Sequence, residues 1–189
     1  KGDISLPAPL AGNLRAIIDF ANNVLSIEEL KLFSGESNGD LQGDIRFEKL
    51  ISFMLDFKYQ IPDLAIYSNL LQPELQISGN MALEGRAAGN VHKPEITIDL
   101  KLSEFSMQDH QAEELRGTLV YERDTLSIES FTLNNQNLKL TAGGEIVFSQ
   151  QGKPEMNISY QLPSLPIKPL LETMDYQAPL SGYVEGNGD

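Results

Sequence analysis

Two histidines, His92 and His110, are the only imidazoles the chain could use as a base or metal ligand. Neither has a spaced partner such as His-x-x-x-His, and both fall in stretches that read as turns, so surface side chains are expected. The acid pairs Glu28-Glu29 and Glu113-Glu114 lie on alternating segments where at least one member must face water. That placement predicts solvated charge rather than a general acid–base pair. No Gly-x-Ser-x-Gly elbow, P-loop or dinucleotide fingerprint occurs, and Gly85 to Gly89 (GRAAG) matches no phosphate-binding loop. The residues thus predict a protein that is not an enzyme and holds no metal or cofactor.

Charge and composition narrow the partners. Fourteen Lys and Arg against 27 Asp and Glu give a net charge of −13 over 189 residues, which argues against nucleic acid, because phosphate binding needs clustered cations. The absence of Cys excludes disulfides and thiolate metal sites and is compatible with an oxidising envelope. Without Trp, and with 7% aromatics, the chain is poor in the rings that stack on sugars or anchor peptides. It contains no secretory signal and no apolar run long enough to span a bilayer.

With little chemistry to position, the elements become informative through repetition. Residues 14–66 align without gaps on residues 115–167 at an offset of 101, with 15 identities in 53 positions. Leu25-Ser26-Ile27-Glu28 recurs as Leu126-Ser127-Ile128-Glu129, and Gly43-Asp44-Ile45-Arg46-Phe47 as Gly144-Glu145-Ile146-Val147-Phe148. Tyr59-Gln60-Ile61-Pro62 recurs as Tyr160-Gln161-Leu162-Pro163. Two copies of one supersecondary unit explain this most simply, which makes the chain a repeat array.

Each unit reads as strands. Leu14, Ala16, Ile18 and Phe20 alternate with the opposite parity, and Asn22-Asn23 supplies a tight turn. The next strand begins with Leu25 and Ile27 on one face and then moves its apolar residues to the other parity at Leu30 and Leu32. The second copy does the same at Leu126 and Ile128, then Phe131 and Leu133. This switch has two readings, a β-bulge near Glu28-Glu29 and Glu129-Ser130 or a strand covered on both faces. Leu41, Gly43, Ile45 and Phe47 form a third strand, and Leu55, Phe57, Tyr59 and Ile61 a fourth that Pro62 ends.

After the fourth strand, Asp63 to Leu71 and Ser164 to Met174 place apolar residues at helical spacing behind a capping Asp or Ser, so each unit is expected to close with a short helix. Pro73-Glu74, Pro94-Glu95 and Pro154-Glu155 each open an alternating strand. Leu75, Ile77 and Met81 continue the first; Ile96, Ile98 and Leu100 continue the second, with a later shift to Phe105 and Met107. From Pro94 to Leu162 about five strands joined by short polar turns are expected, hence antiparallel neighbours. The expected fold is all-β: a long curved meander with an apolar concave face and two short helices. Residues 1–189 are read as one fragment of a larger array, with units at about 13–72 and 114–178 and connecting strands at 73–113 and 179–189.

The segment from Gly89 to Gly144 carries Gly…Pro-x-Ile, Leu-x-Gly-x-Leu-x-Tyr, Leu-x-Ile-x-x-Phe-x-Leu and a closing Gly-Gly-x-Ile, and Leu165 to Gly188 pairs the short helix with a Leu-Ser-Gly strand. In these residues the chain resembles the AsmA-like superfamily, and within it the C-terminal region of the TamB translocation and assembly module family. The resemblance implies a periplasmic β-sheet folded like a taco around a greasy groove. It also implies an inner-membrane anchor outside this fragment, in the envelope of a Gram-negative bacterium. It further implies phospholipid as cargo between inner and outer membranes, and an outer-membrane β-barrel partner of the TamA kind.

Physical reasoning reaches the groove independently. A repetitive sheet with one apolar face must cover it with another layer, with bound ligand, or with itself by curling. Two short helices cannot cover that many strands. An acyl chain of roughly 16 carbons would gain on the order of 10 kcal/mol in such a trough, at about 0.8 kcal/mol per buried CH₂. The expected lining is Leu14, Ile18, Phe20, Leu25, Ile27, Ile45, Phe47, Leu55, Phe57, Ile77, Met81, Ile96, Ile98, Leu100, Leu119, Tyr121, Leu126, Ile128, Leu140, Ile146, Phe148, Met156 and Ile158. The alternative is a closed β-sandwich or solenoid, a spacer or scaffold whose apolar face is simply core.

Overall fold

The computed structural model describes residues 10–67, 76–107, 110–135, 138–148, 154–166 and 183–188. Alternating apolar and polar residues become eleven strands. They are β1 (Leu10–Asp19), β2 (Val24–Ser34), β3 (Ser37–Phe47), β4 (Ile51–Ile61), β5 (Ile77–Asn90), β6 (Lys93–Met107), β7 (His110–Glu122), β8 (Thr125–Asn135), β9 (Leu138–Val147), β10 (Glu155–Pro166) and β11 (Tyr183–Gly188). All lie in one antiparallel sheet in chain order, so every strand pairs with its sequence neighbours. The sheet is open and uncurled, so the expected curving of the meander into a taco with a concave apolar face is a correction: the strands form one layer that does not fold back on itself.

Turn chemistry sets these hairpins. Asp19 accepts from the Ala21 and Asn22 amides and from Asn22 Nδ2, and Asn23 takes the left-handed conformation expected of the Asn-Asn turn. Arg123 and Asp124 both have positive φ, which matches the twist of the two-residue hairpin between β7 and β8. His92 lies in the two-residue turn after β5, as expected. His110, expected in a turn, is the first residue of β7 and pairs with Met107.

The parity switch is a bulge in both copies. Ile27 pairs with Gly43 and Leu30 with Leu41, leaving Glu28 and Glu29 against a single position. Ile128 pairs with Gly144 and Phe131 with Ala142, leaving Glu129 and Ser130. The later shift in β6 has the same cause: Ser78 pairs with Ser106 but Asn80 with Ser103, and Glu104 between them has a φ of 52°. One difference separates the copies. Gly43 pairs with Leu55, whereas Gly144 pairs with Ile158 rather than Met156, so the fourth strand of the second copy is displaced by two residues. A shift of two keeps every side chain on its own face.

The pair of helices is a correction. Among the described residues after Pro62 the chain forms a 3₁₀ turn, Leu64–Tyr67, capped by Asp63 through its Oδ1, which accepts from the Ala65 amide at 2.9 Å; residues 68–71 of that expected helix lie outside the described residues. One turn provides too few hydrogen bonds to sustain an α-helix by itself. In the second unit Ser164, Leu165 and Pro166 are the end of β10, with Leu165 and Pro166 paired to Val184 and Tyr183. Residues 167–174, the remainder of that expected helix, and Leu75 lie outside the described residues.

Among the described residues, the one clustered core sits where the 3₁₀ turn covers the sheet. Ile61, Leu64 and Ile77 are buried together, flanked by Tyr59, Tyr67, Met81, Leu102 and Phe105. Tyr67 Oη donates to Ser37 Oγ at 3.2 Å and lies 3.2 Å from Tyr59 Oη. Burial, then the Tyr67 contact, raises the Tyr59 phenol above its ordinary value.

Candidate functional site

Cross-strand partners share a face, so the register sorts every side chain. Ile27, Gly43, Leu55, Ala87, Ile96, Tyr121, Leu126, Ile146 and Met156 are successive partners from β2 to β10. Two residues along, Leu41, Phe57, Gly85, Ile98, Leu119, Ile128, Gly144 and Ile158 form a second row, which Leu14 and Leu30 extend to β1. A further row runs Ile61, Met81, Leu102, Leu115, Leu133, Leu140. All of these rows lie on the same side of the sheet.

The intervening residues form the opposite, charged face. One row reads Lys31, Asp40, Lys58, Glu84, Asp99, Thr118, and another Gln42, Asp56, Arg86, Thr97. Oppositely charged neighbours pair across strands and, at Arg116–Glu114, along one. Arg86 forks onto Asp56 at 2.7 and 3.3 Å, Lys58 meets Glu84 at 3.0 Å, and Lys101 and Arg116 share Glu114 at 3.3 and 2.8 Å. Hydrogen bonds from Arg86, Lys31 and Arg116 hold the Asp56, Glu29 and Glu114 carboxyls below their ordinary values. Exposed pairs of this kind add little to stability, because water screens them. Shallow depressions of about 640 and 750 Å³ lie among these side chains, on the charged side.

Most of the expected lining residues fall on the apolar face, at half-burial, because a single layer covers each side chain only by its neighbours. Three placements differ from expectation. Phe20 lies in the turn after β1 and is 83% exposed, since the ladder ends at Asp19 paired with Val24. Phe148 follows the end of β9, where it meets Tyr121 with ring centroids 6.5 Å apart. Ile77 is 8% exposed beneath the 3₁₀ turn and is core rather than lining. Leu30, Phe53, Leu83, Leu102, Phe131 and Leu133 also belong to the face and were missing from the expected lining. The bulges hid Leu30, Phe131 and Leu133; carrying the alternation through each bulge recovers them.

Glycines shape this surface. On the apolar face, a Cβ at Gly39 would come within 2.7 Å of the Tyr59 ring, and one at Gly117 within 3.2 Å of the Phe131 ring. Cross-strand rings therefore lie over glycines, filling what would be holes in the face. Among the described residues the face offers contact area and few polar groups, chiefly the linked Tyr59, Tyr67 and Ser37 hydroxyls at one end. Among the described residues, no three His, Cys, Asp or Glu side chains group so as to hold a metal ion.

Compared with protein-family models, curated proteins and solved structures, the chain matches none of them.

Proposed function

We propose that this chain is part of a TamB/AsmA-like envelope protein whose apolar sheet face carries lipid acyl chains between inner and outer membrane and aids outer-membrane protein assembly. It works without catalysis and without a cofactor. The carrying observation is the two-sided register: apolar rows continue from β2 to β10, opposite a face of paired charges. Among the described residues, only the 3₁₀ turn packs onto the apolar side, at one end. Water-exposed apolar area of this extent marks a binding surface.

In this reading lipid tails lie on the open apolar face, and the bulges are where the uncurled sheet can bend around them. Glu28 and Glu29 project to the charged side, where Arg15 and Lys31 meet them at 2.7 Å, while at Gly43 and Gly144 the backbone of the next strand lies too close for a side chain. A lipid tail lying across the rows would complete the cover that the single layer lacks, with its headgroup in water. The scarcity of polar anchors among the described residues of the rows suits movement along them. The setting is the periplasm, with an inner-membrane anchor beyond this fragment and a TamA-like β-barrel as partner; among the described residues no helix is long and apolar enough to cross a membrane.

Vesicle-to-vesicle transfer of a fluorescent phospholipid tests the reading. Leu126→Arg and Ile128→Glu should each slow transfer at least about tenfold, by placing a charge where hydrocarbon must lie. Their far-UV circular dichroism should stay unchanged. Undiminished transfer by folded variants would sink the reading, and wholesale unfolding would favour a sealed scaffold.

A further inference from the structure

Successive hairpins of a meander turn at alternate rims of the sheet, so the turns after β1, β3, β5 and β7 share one rim. Three of them carry apolar side chains at their tips. Phe20 stands in the β1–β2 turn, Leu50 in the β3–β4 turn and Val91 in the β5–β6 turn, and they are 83%, 51% and 54% exposed. Short turns are ordinarily polar. Neither Leu50 nor Val91 supplies the positive φ or the side-chain hydrogen bond that selects turn residues, so turn geometry does not require them.

The hairpin ends at this rim are tied to one another. The Phe47 amide donates to the Asn23 carbonyl at 2.8 Å, the Val91 amide to the Ile51 carbonyl at 3.2 Å and the Phe148 amide to the Asp124 carbonyl at 2.7 Å. Phe47 pairs with Ile51 and keeps the parity of Ile45, so the apolar face runs on to the rim. Charge at the tips is balanced, with Glu48 and Asp124 against Lys49 and Arg123, although the chain as a whole carries −13. At the opposite rim the β2–β3 turn is Gly35-Glu36, an acid with no apolar side chain.

We infer that the rim of Phe20, Leu50 and Val91 docks on a phospholipid bilayer, its tips sunk to the level where headgroups meet acyl chains and Lys49 reaching back to the phosphates. From the Phe20 turn to the Val91 turn is about 19 Å at the usual strand spacing. A line of separate apolar points at that spacing, with balanced charge between them, fits a planar interface. Docking of this kind deepens the lipid-carriage reading and rests on it for its purpose: tails would leave the bilayer over Phe47 and Ile51 onto the apolar face.

The chain has no Trp, so a single Trp reports its own surroundings. In the whole chain, Phe20→Trp, Leu50→Trp and Val91→Trp should each shift emission to the blue on addition of phosphatidylcholine vesicles and be quenched by bromine in the acyl chains; Glu36→Trp should do neither. Leu50→Glu/Val91→Glu should lower vesicle partitioning about tenfold or more, while a photo-crosslinking residue at Ile146 still captures monomeric short-chain phosphatidylcholine. Unquenched rim probes, equal quenching of Glu36→Trp, or undiminished partitioning of the double variant would overturn the docking. Rim probes that shift to the blue with protein concentration alone would overturn it in favour of contact between copies. Rim quenching with no capture of short-chain lipid at Ile146 would uphold the docking and remove the lipid-carriage reading instead.

Discussion

Phe57 lies over Gly85 on the neighbouring strand: a Cβ on that glycine would sit 2.8 Å from the ring's Cζ and 2.2 Å from the Thr97 carbonyl oxygen. The contact joins β4 to β5 and β6 in the middle of the apolar face, so this face is fitted together rather than merely greasy. Gly85→Ala should destabilise the chain by about 1–3 kcal/mol through backbone and ring displacement. Gly143→Ala, whose Cβ would come no nearer than 3.3 Å to the Ile128 oxygen, should cost less than about 1 kcal/mol. Urea midpoints of the two variants give the comparison.

Gly43 and Gly144 occupy the same place beside the two bulges, with φ of 137° and 152°. An added Cβ would come within 2.0 Å of the Met54 oxygen and 2.2 Å of the Asn157 oxygen, respectively. Alanine at either should cost about 1–3 kcal/mol, because the backbone there is one that side chains rarely adopt. Similar losses from both sites are expected if the two copies use one bending device; a loss at only one would show that the device is not shared.

Leu64 is 7% exposed and holds the 3₁₀ turn to the sheet. Leu64→Ala should cost about 2–4 kcal/mol. Tyr67→Phe, which removes the hydroxyl shared with Ser37 and Tyr59, should cost about 0.5–1.5 kcal/mol. Hydrogen exchange at the end of β4 and the start of β5 should speed up in both while β7 to β9 stay protected.

Acid should weaken the charged face. Asp56, Glu29 and Glu114 are held below their ordinary values of 3.8, 4.5 and 4.5 by hydrogen bonds from Arg86, Lys31 and Arg116. The folded chain therefore binds fewer protons than the unfolded one as pH falls below those ordinary values. The contribution is fully present above them and is lost as pH drops through the depressed folded values. Denaturant midpoints should fall below about pH 4.5, and Asp56→Asn with Glu114→Gln should flatten that fall.

The strands were legible because period-two alternation is a direct consequence of the pleat; the parity switch was legible as a feature common to both copies, but only the register decides that it is a bulge rather than a strand covered on both faces. Gly43 and Gly144 marked their own places by recurring. The helices were misread because Leu64, Ile66 and Tyr67 have helical spacing over too short a stretch, where one capped turn already satisfies Asp63 and buries Leu64. Ser164 and Pro166 look like a helix start, yet β10 runs on through Pro166 by pairing with β11. The lining was mostly recoverable by parity. Ile77 was not, since nothing local says that a turn thirteen residues earlier folds down onto it. The two-residue displacement of β10 was equally hidden, because a shift of two leaves the apolar pattern intact.

Neighbouring residues of β9 give the most direct test of lipid carriage, because Ile146 and Glu145 differ by one position and face opposite sides. With a photo-crosslinking residue at Ile146, and in parallel at Ile45 and Leu126, the chain should capture phospholipid from vesicles. The same residue at Glu145 should capture none. Capture at Glu145 alone, or equal capture at all four positions, would contradict the account.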